Sequence, residues 1–374
     1  MGNLIQTPKD ESVVLIPPRF SVRGLTRSIE IESPISLYFG NLFRREVLYD
    51  LHSFHGTLGL DILMAPESPP STAAHVSLGG SIPSRTIGSG SLNLHLNKEL
   101  SDTWRAIGRL SLGTTNGITG FAMVSTTSQG GKVSMTSSVE NSEPQNVGIR
   151  LQSEYLLIGT DVPISNPFNV SAWGIARISD ELWLGLSGSP LDGRSPFRIL
   201  GSYEKRIPGT DSSYCVSSSL NMPTKEVSIG FSQHLVTHRK VYNVFEDKRV
   251  KFIANYIDIA VEASSKPDDS KATQVAAGIS WQPNKNMLLK LHASTQQGLV
   301  GTWAVRNYWV PSVLVAVSGG VDTKGSLFLG GRLQVSNWLS SAEYQRGQPI
   351  SALPVTKWLN TEDLDRFSPS NRYL

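Results

Sequence analysis

Seven basic side chains fall at alternating positions of apolar–polar stretches, and they set the chemistry this chain could do. Arg105 and Arg109 alternate with Trp104, Ala106, Gly108 and Leu110; Arg150 alternates with Ile149 and Leu151; Arg177 follows Ala172, Gly174 and Ala176. Lys290, Arg306 and Arg332 do the same beside Leu289 and Leu291, Val305, and Gly331 and Leu333, and His95 and His292 take equivalent positions. Cations repeated at period two share one face of a strand. Such a wall attracts anions and raises their local concentration; it makes and breaks no bonds.

Constellations that would make bonds are absent from the sequence. There is no phosphate-cradling Gly-rich loop, no paired-histidine metalloprotease motif and no nucleophile elbow. His52 and His55 are three apart and His234 and His238 four apart, spacings that could share a helical face, yet the second pair lies in strand-like sequence. Both pairs read as solvated histidines. Asp258 and Glu262 read as surface or lumen carboxylates, and Lys266 to Lys271 as a solvated loop. The single Cys215 excludes an intramolecular disulfide framework and a cysteine zinc site. No catalytic residue, metal or cofactor is therefore expected, and the chain reads as a non-enzyme.

The elements that position the basic residues are strands. Apolar residues make up 39% of the 374 positions and charged residues only 17%, yet no apolar run of about 18 residues exists to form a membrane helix. Low charge without such a run fits apolar residues diluted by alternation. The net charge of +3 is too small to argue for nucleic acid. The clearest meander runs from Met287 to Val335, with Leu289 and Leu291, Leu299 and Trp303, Val315 and Val317, and Leu329 and Leu333 on one face. Candidate strands centre near residues 59, 77, 93, 108, 121, 135, 150, 174, 184, 200, 216, 229, 255, 276, 290, 302, 314, 330 and 341, with weaker pieces near 157 and 236.

An open sheet rarely exceeds about ten strands, whereas closure removes the edges of a long meander. No repeat of propeller type is visible. The expectation is an all-β chain, a closed transmembrane antiparallel β-barrel of about 19 strands over 55–344. Residues 1–54 precede it as an irregular stretch followed by an amphipathic helix from about Ile35 to Ser53, serving as gate, plug or docking segment. Residues 345–374 form a polar tail with one helical turn in Thr361 to Phe367. The N-terminus carries no secretory h-region, and Gln6 stands where a myristoylation start needs Ser or Thr.

On this architecture the chain resembles the eukaryotic mitochondrial outer-membrane β-barrels, the group of the voltage-dependent anion channel, the protein-translocation pore and the assembly barrel of that membrane. The resemblance covers about 55–344 and rests on Gly-punctuated alternating strands, a preceding helical segment, a basic pI and no export signal. The voltage-dependent anion channel has 19 strands, so the count matches that example and is no independent derivation. Gly330, Gly331, Leu333 and Val335 resemble the family's late-strand insertion signal, with Phe328 at its polar position. Gly90 to Thr114 also looks loosely like the barrel region of a J-domain protein of cristae-organising complexes, without a His-Pro-Asp motif.

With the apolar face toward lipid, Arg105, Arg109, Arg150, Arg177, Lys290, Arg306 and Arg332 enter the lumen with His95, His292, Gln152, Glu154 and Gln334. A charge on the lipid face costs roughly 2–4 kcal/mol near the midplane. The resemblance implies a mitochondrial outer-membrane location, with a plastid envelope as the lesser alternative. Its partners would be the lipid bilayer and other outer-membrane or intermembrane-space proteins. The first expectation is a pore with a basic lumen for anionic metabolites or polypeptides; the second is a non-conducting scaffold in an outer-membrane complex. A soluble all-β binding protein or carbohydrate-active enzyme is the third.

Overall fold

In the computed structural model the described residues are 13–16, 39, 41–64, 72–81, 86–114, 117–128, 131–141, 143–153, 155–189, 197–207, 212–222, 224–240, 250–266, 269–284, 286–307, 312–336 and 357–360. The expected strand at 341, the helical turn at 361–367, Glu154 and the extreme N-terminus lie outside them.

Nineteen strands close into one barrel. The first half comprises β2 (Thr57–Met64), β3 (Thr72–Ser81), β4 (Thr86–Glu99), β5 (Trp104–Gly113), β6 (Gly117–Ser128), β7 (Gly131–Glu140), β8 (Glu143–Gln152), β9 (Leu156–Pro163) and β10 (Ser171–Arg177). The second comprises β11 (Leu182–Gly188), β12 (Arg198–Arg206), β13 (Ser213–Asn221), β14 (Glu226–Lys240), β15 (Val250–Lys266), β16 (Asp269–Asn284), β17 (Met287–Ser294), β18 (Gly298–Asn307), β19 (Ser312–Val321) and β20 (Leu327–Ser336). Each pairs antiparallel with the next, but β2 and β20 close the ring in parallel, Leu60 opposite Leu333 and Ile62 opposite Val335. The barrel is therefore mixed, which corrects the all-antiparallel expectation. In an up-and-down meander every strand reverses the one before, so an odd count leaves the first and last running the same way.

Period-two alternation decides which side chains face out. On β5, Trp104, Leu110 and Leu112 are exposed while Ile107 is buried; on β17, Leu291 is exposed while Lys290 and His292 are buried. Leu94, Ile149, Leu186, Trp303 and Val317 continue the exposed apolar exterior around the ring. The interior carries buried Asp61, Asn93, Thr136, Ser217, His234 and Gln282. This inverts the pattern of a soluble domain, whose apolar residues turn inward.

The N-terminal expectation is corrected in detail. The helix, α1, spans Asn41–Leu48 and ends before the expected Ser53, where Leu51 adopts φ +72° and turns the chain, before a 3-10 turn at Phe54–Gly56 leads into β2; residues 35–38 and 40 of the expected helix lie outside the described residues. A short strand β1, Val13–Ile16, lies in the stretch read as irregular, and β21, Lys357–Asn360, lies in the tail. β1 pairs in parallel with Val250–Ile253 at the start of β15 and antiparallel with β21. Those residues of β15 lie beyond Tyr256, where its pairing with β16 stops. The run Val13-Val14-Leu15-Ile16 ahead of two prolines is strong β-former sequence, and it finds an open strand edge there.

Candidate functional site: the lumen and its N-terminal segment

The segment from Phe39 to Thr57 lies inside the barrel and runs along the inner wall. Phe39 packs among Leu157, Trp173, Ile175 and Leu200, inward residues of β9, β10 and β12. α1 then lies on β14, β15 and β16, with Val47 and Leu48 against Ala260 and Ala276. Leu51 joins Leu288, Ala304, Leu314 and Ala316 of β17, β18 and β19. Alternation in the sequence sets Trp173, Leu288 and Ala304 on this face among polar side chains, but not Leu157, Leu200 or Leu314, whose neighbours on both sides are apolar too. Together these inward residues form the seat for the segment.

Inward glycines make the close approach possible. A Cβ at Gly278 would lie 2.9 Å from Leu48 Cδ2, and one at Gly330 would lie 2.7 Å from both Ser53 Cβ and the Thr57 carbonyl oxygen. A Cβ at Gly230 would overlap the Arg44 guanidinium. That guanidinium donates to the Phe39 carbonyl at 3.1 Å and to Ser217 Oγ at 2.6 Å, and burial lowers its pKa. Phe39, Leu51 and His55 all hold positive φ, a costly conformation for residues with a Cβ, so the wall over-determines the path.

The structure assigns the basic residues different tasks. Lys290 does not line an open channel: it is 5% exposed, and its ammonium donates to the main-chain carbonyls of Glu46, at 2.6 Å, and Asp50. A cation there satisfies orphan carbonyls at the C-terminal end of α1 and complements its dipole. Arg332 donates to Asp61 at 2.5 Å across the β2–β20 seam. Arg177 pairs with Asp180 at 2.9 Å and lies over Trp183, and Arg306 is half-buried on the inner wall.

Of the seven, Arg105, Arg109 and Arg150 lie on β5 and β8, outside the strands that seat the described residues of the segment. Arg109 donates to Asn93 Oδ1 at 3.5 Å, and Arg150 lies 5.9 Å from the ring centre of Phe121, the cross-strand partner of Arg109. His95 belongs to β4, but its side chain lies outside the described residues. Of the insertion-signal residues, Gly330 faces inward under Ser53, Gly331 and exposed Leu333 face outward, and Val335 is buried beside β2.

His292 is fully buried among Tyr49, His52 and Phe54, with ring centres 5.3–5.6 Å apart. His52 Nδ1 shares a hydrogen bond with Thr302 Oγ1 at 2.7 Å, Thr302 with Ser318 at 2.8 Å, and the Ser53 N–H donates to Ser318 at 3.0 Å. His234 and Asp258, read as solvated from sequence, are a buried pair at 2.5 Å beside Phe43 and Tyr256. Glu262 accepts a hydrogen bond from the Tyr49 hydroxyl, whose pKa rises through burial and this bond.

The pKa of His52 is pushed down to about 2, by burial first and then by Lys290 and His292. Released, a histidine titrates near 6.5, so the free segment takes a proton that the docked one does not. Docking is at full strength above about pH 6.5 and weakens below it, by up to about tenfold per pH unit. The urea midpoint of the refolded protein should fall between about pH 7 and about pH 5, and His52→Gln should flatten that fall. An equal fall in both proteins would place its origin elsewhere.

Among the described residues no three His, Cys, Asp or Glu side chains converge on a metal position, and no helix is long and apolar enough to cross a membrane. No protein-family model matches the chain, and no curated protein matches it significantly.

Proposed function

We propose that the chain is a membrane-embedded, non-enzymatic barrel of the mitochondrial outer membrane that passes anionic metabolites or polypeptides along the wall carrying Arg105, Arg109 and Arg150. The observation that carries this reading is the sidedness of the barrel: an exposed apolar exterior around a polar, partly basic interior. So large an exposed apolar surface is untenable in water and ordinary against lipid. Trp104, Tyr155 and Trp281 are exposed toward one end of the barrel, the placement that amphipathic aromatic rings take at a membrane interface. The N-terminal segment narrows the lumen from the opposite wall.

The test is single-channel current across a planar bilayer after refolding the full chain in detergent, with a salt gradient to read ion preference. Discrete steps with anion preference are expected, and replacing Arg105, Arg109 and Arg150 by Ser should reduce that preference several-fold. A soluble monomer that fails to insert would overturn the reading. A second reading, a non-conducting scaffold for other outer-membrane or intermembrane-space proteins, is favoured by one observation. Both chain ends contribute strands, β1 and β21, to a small sheet beside the barrel end, which a bare pore does not need. Insertion without current would select it.

A further inference from the structure

Behind the docked segment, toward the turns that join β13 to β14 and β17 to β18, the wall and the segment line a partly open cavity of about 260 Å³. The basic wall is not part of it. Its charged lining groups are already engaged: Arg44 with Ser217, Arg198 with Ser219 at 3.0 Å, Glu226 with Lys266 at 3.7 Å, and Glu262 with Tyr49. What remains to meet a guest is hydroxyl and amide. Ser294 and Thr295 accept the main-chain N–H groups of Gln297 and Val275, at 2.9 and 3.1 Å, which leaves both O–H protons to donate. Gln274, Gln296 and Gln297 also line it and add side-chain amides.

A lining that donates and accepts but carries no uncommitted charge complements hydroxyl groups, which do both. The volume lies just under the range of about 300–1,000 Å³ usual for drug-sized ligands, too small for a nucleotide. We propose that this cavity binds a neutral polyhydroxylated molecule of monosaccharide size. Such a guest touches the wall and the Arg44–Tyr49 face of the segment together, so its binding holds the segment in place. The inference does not depend on conduction, because no residue of the basic wall lines the site.

The experiment is saturation-transfer NMR on the full chain refolded in detergent, with glucose and myo-inositol as probes and inorganic phosphate as the charged contrast. The expected result is saturable binding of at least one polyol. Ser228→Leu or Gln297→Leu, on opposite sides of the cavity, should weaken it at least tenfold, and Arg109→Ser should leave it unchanged. Two filling variants keep the test decisive where one fails to fold. The proposal is overturned by no saturable signal from either polyol, by unchanged binding in a folded filling variant, or by preference for phosphate. Current without polyol binding would sink this inference alone, and polyol binding by a silent barrel would sink conduction alone.

Discussion

Lys290→Glu is expected to release the N-terminal segment from the wall. The substitution sets a carboxylate against the Glu46 and Asp50 carbonyls that now receive an ammonium, in a position that is 5% exposed. Losing one partner of a buried charged contact costs about 3–5 kcal/mol, and like-signed dipoles add to that. Lys290→Met should cost less, about 1–3 kcal/mol, because it removes the desolvation cost of the cation along with its hydrogen bonds. The chain supplies its own reporter: Cys215 is the single cysteine, is buried, and lies close to Arg44 on the covered wall. Maleimide labelling of Cys215 should be slow in the native protein and about a hundredfold faster in Lys290→Glu, a change of roughly 3 kcal/mol. Unchanged labelling would show that the ammonium does not hold the segment.

Gly330→Ala and Gly331→Ala should part company by a wide margin. At Gly330 a methyl group meets Ser53 Cβ and the Thr57 carbonyl oxygen at 2.7 Å, and main chain cannot step aside as a side-chain tip can. Overpacking of this kind costs about 1–3 kcal/mol. At Gly331 the methyl faces outward, 3.4 Å from the Ala316 carbonyl oxygen and 3.8 Å from Leu58, which is ordinary contact worth within about 0.5 kcal/mol. Urea midpoints in detergent, where no insertion machinery acts, separate the two roles that this glycine pair could play. A clear loss in Gly330→Ala alone assigns that residue to packing. Equal midpoints in all three proteins, with membrane delivery lost in both variants, would assign the pair to an insertion signal.

Which face of a strand meets the exterior was legible where exposed leucines and valines alternate with polar neighbours, as Leu110 and Leu112 do on β5. The strand count was legible for a less secure reason. The weak piece near 157 is the full strand β9, and the pieces near 229 and 236 are one strand, β14. The expected strand near 341 lies outside the described residues, so the agreement at 19 joins correct strands with a fortunate substitution. β9 is hard to see because Leu156, Leu157 and Ile158 are consecutive: one face meets the exterior and the other meets Phe39. Alternation fails as a signal wherever the segment covers the wall.

The functional assignment of charges was less legible for the same reason. Period two shows that Lys290, Arg332 and Arg109 face inward, but not what waits inside. Lys290 meets the end of a helix more than two hundred positions away in sequence, and Arg332 meets an aspartate on the first barrel strand. The three-dimensional path of the segment and the β2–β20 seam distinguish these structural cations from Arg105, Arg109 and Arg150. The helix itself could be read from its amphipathic stripe, whereas its early end at Leu48 depends on a left-handed leucine that tertiary packing enforces.

The parallel seam also fixes an order of events as the chain folds. Neighbouring strands are linked by short connections and can find one another quickly, but Asp61 and Arg332 are 271 positions apart. Entropy makes that encounter the last and slowest, since hairpins form locally and ring closure must gather the whole meander. The strand that completes the ring at the seam, β2, is continuous with the segment lying inside. Closing the ring at the seam therefore also anchors the segment: once Thr57 is fixed in β2, the residues just before it are held at the mouth of the lumen whose wall they line.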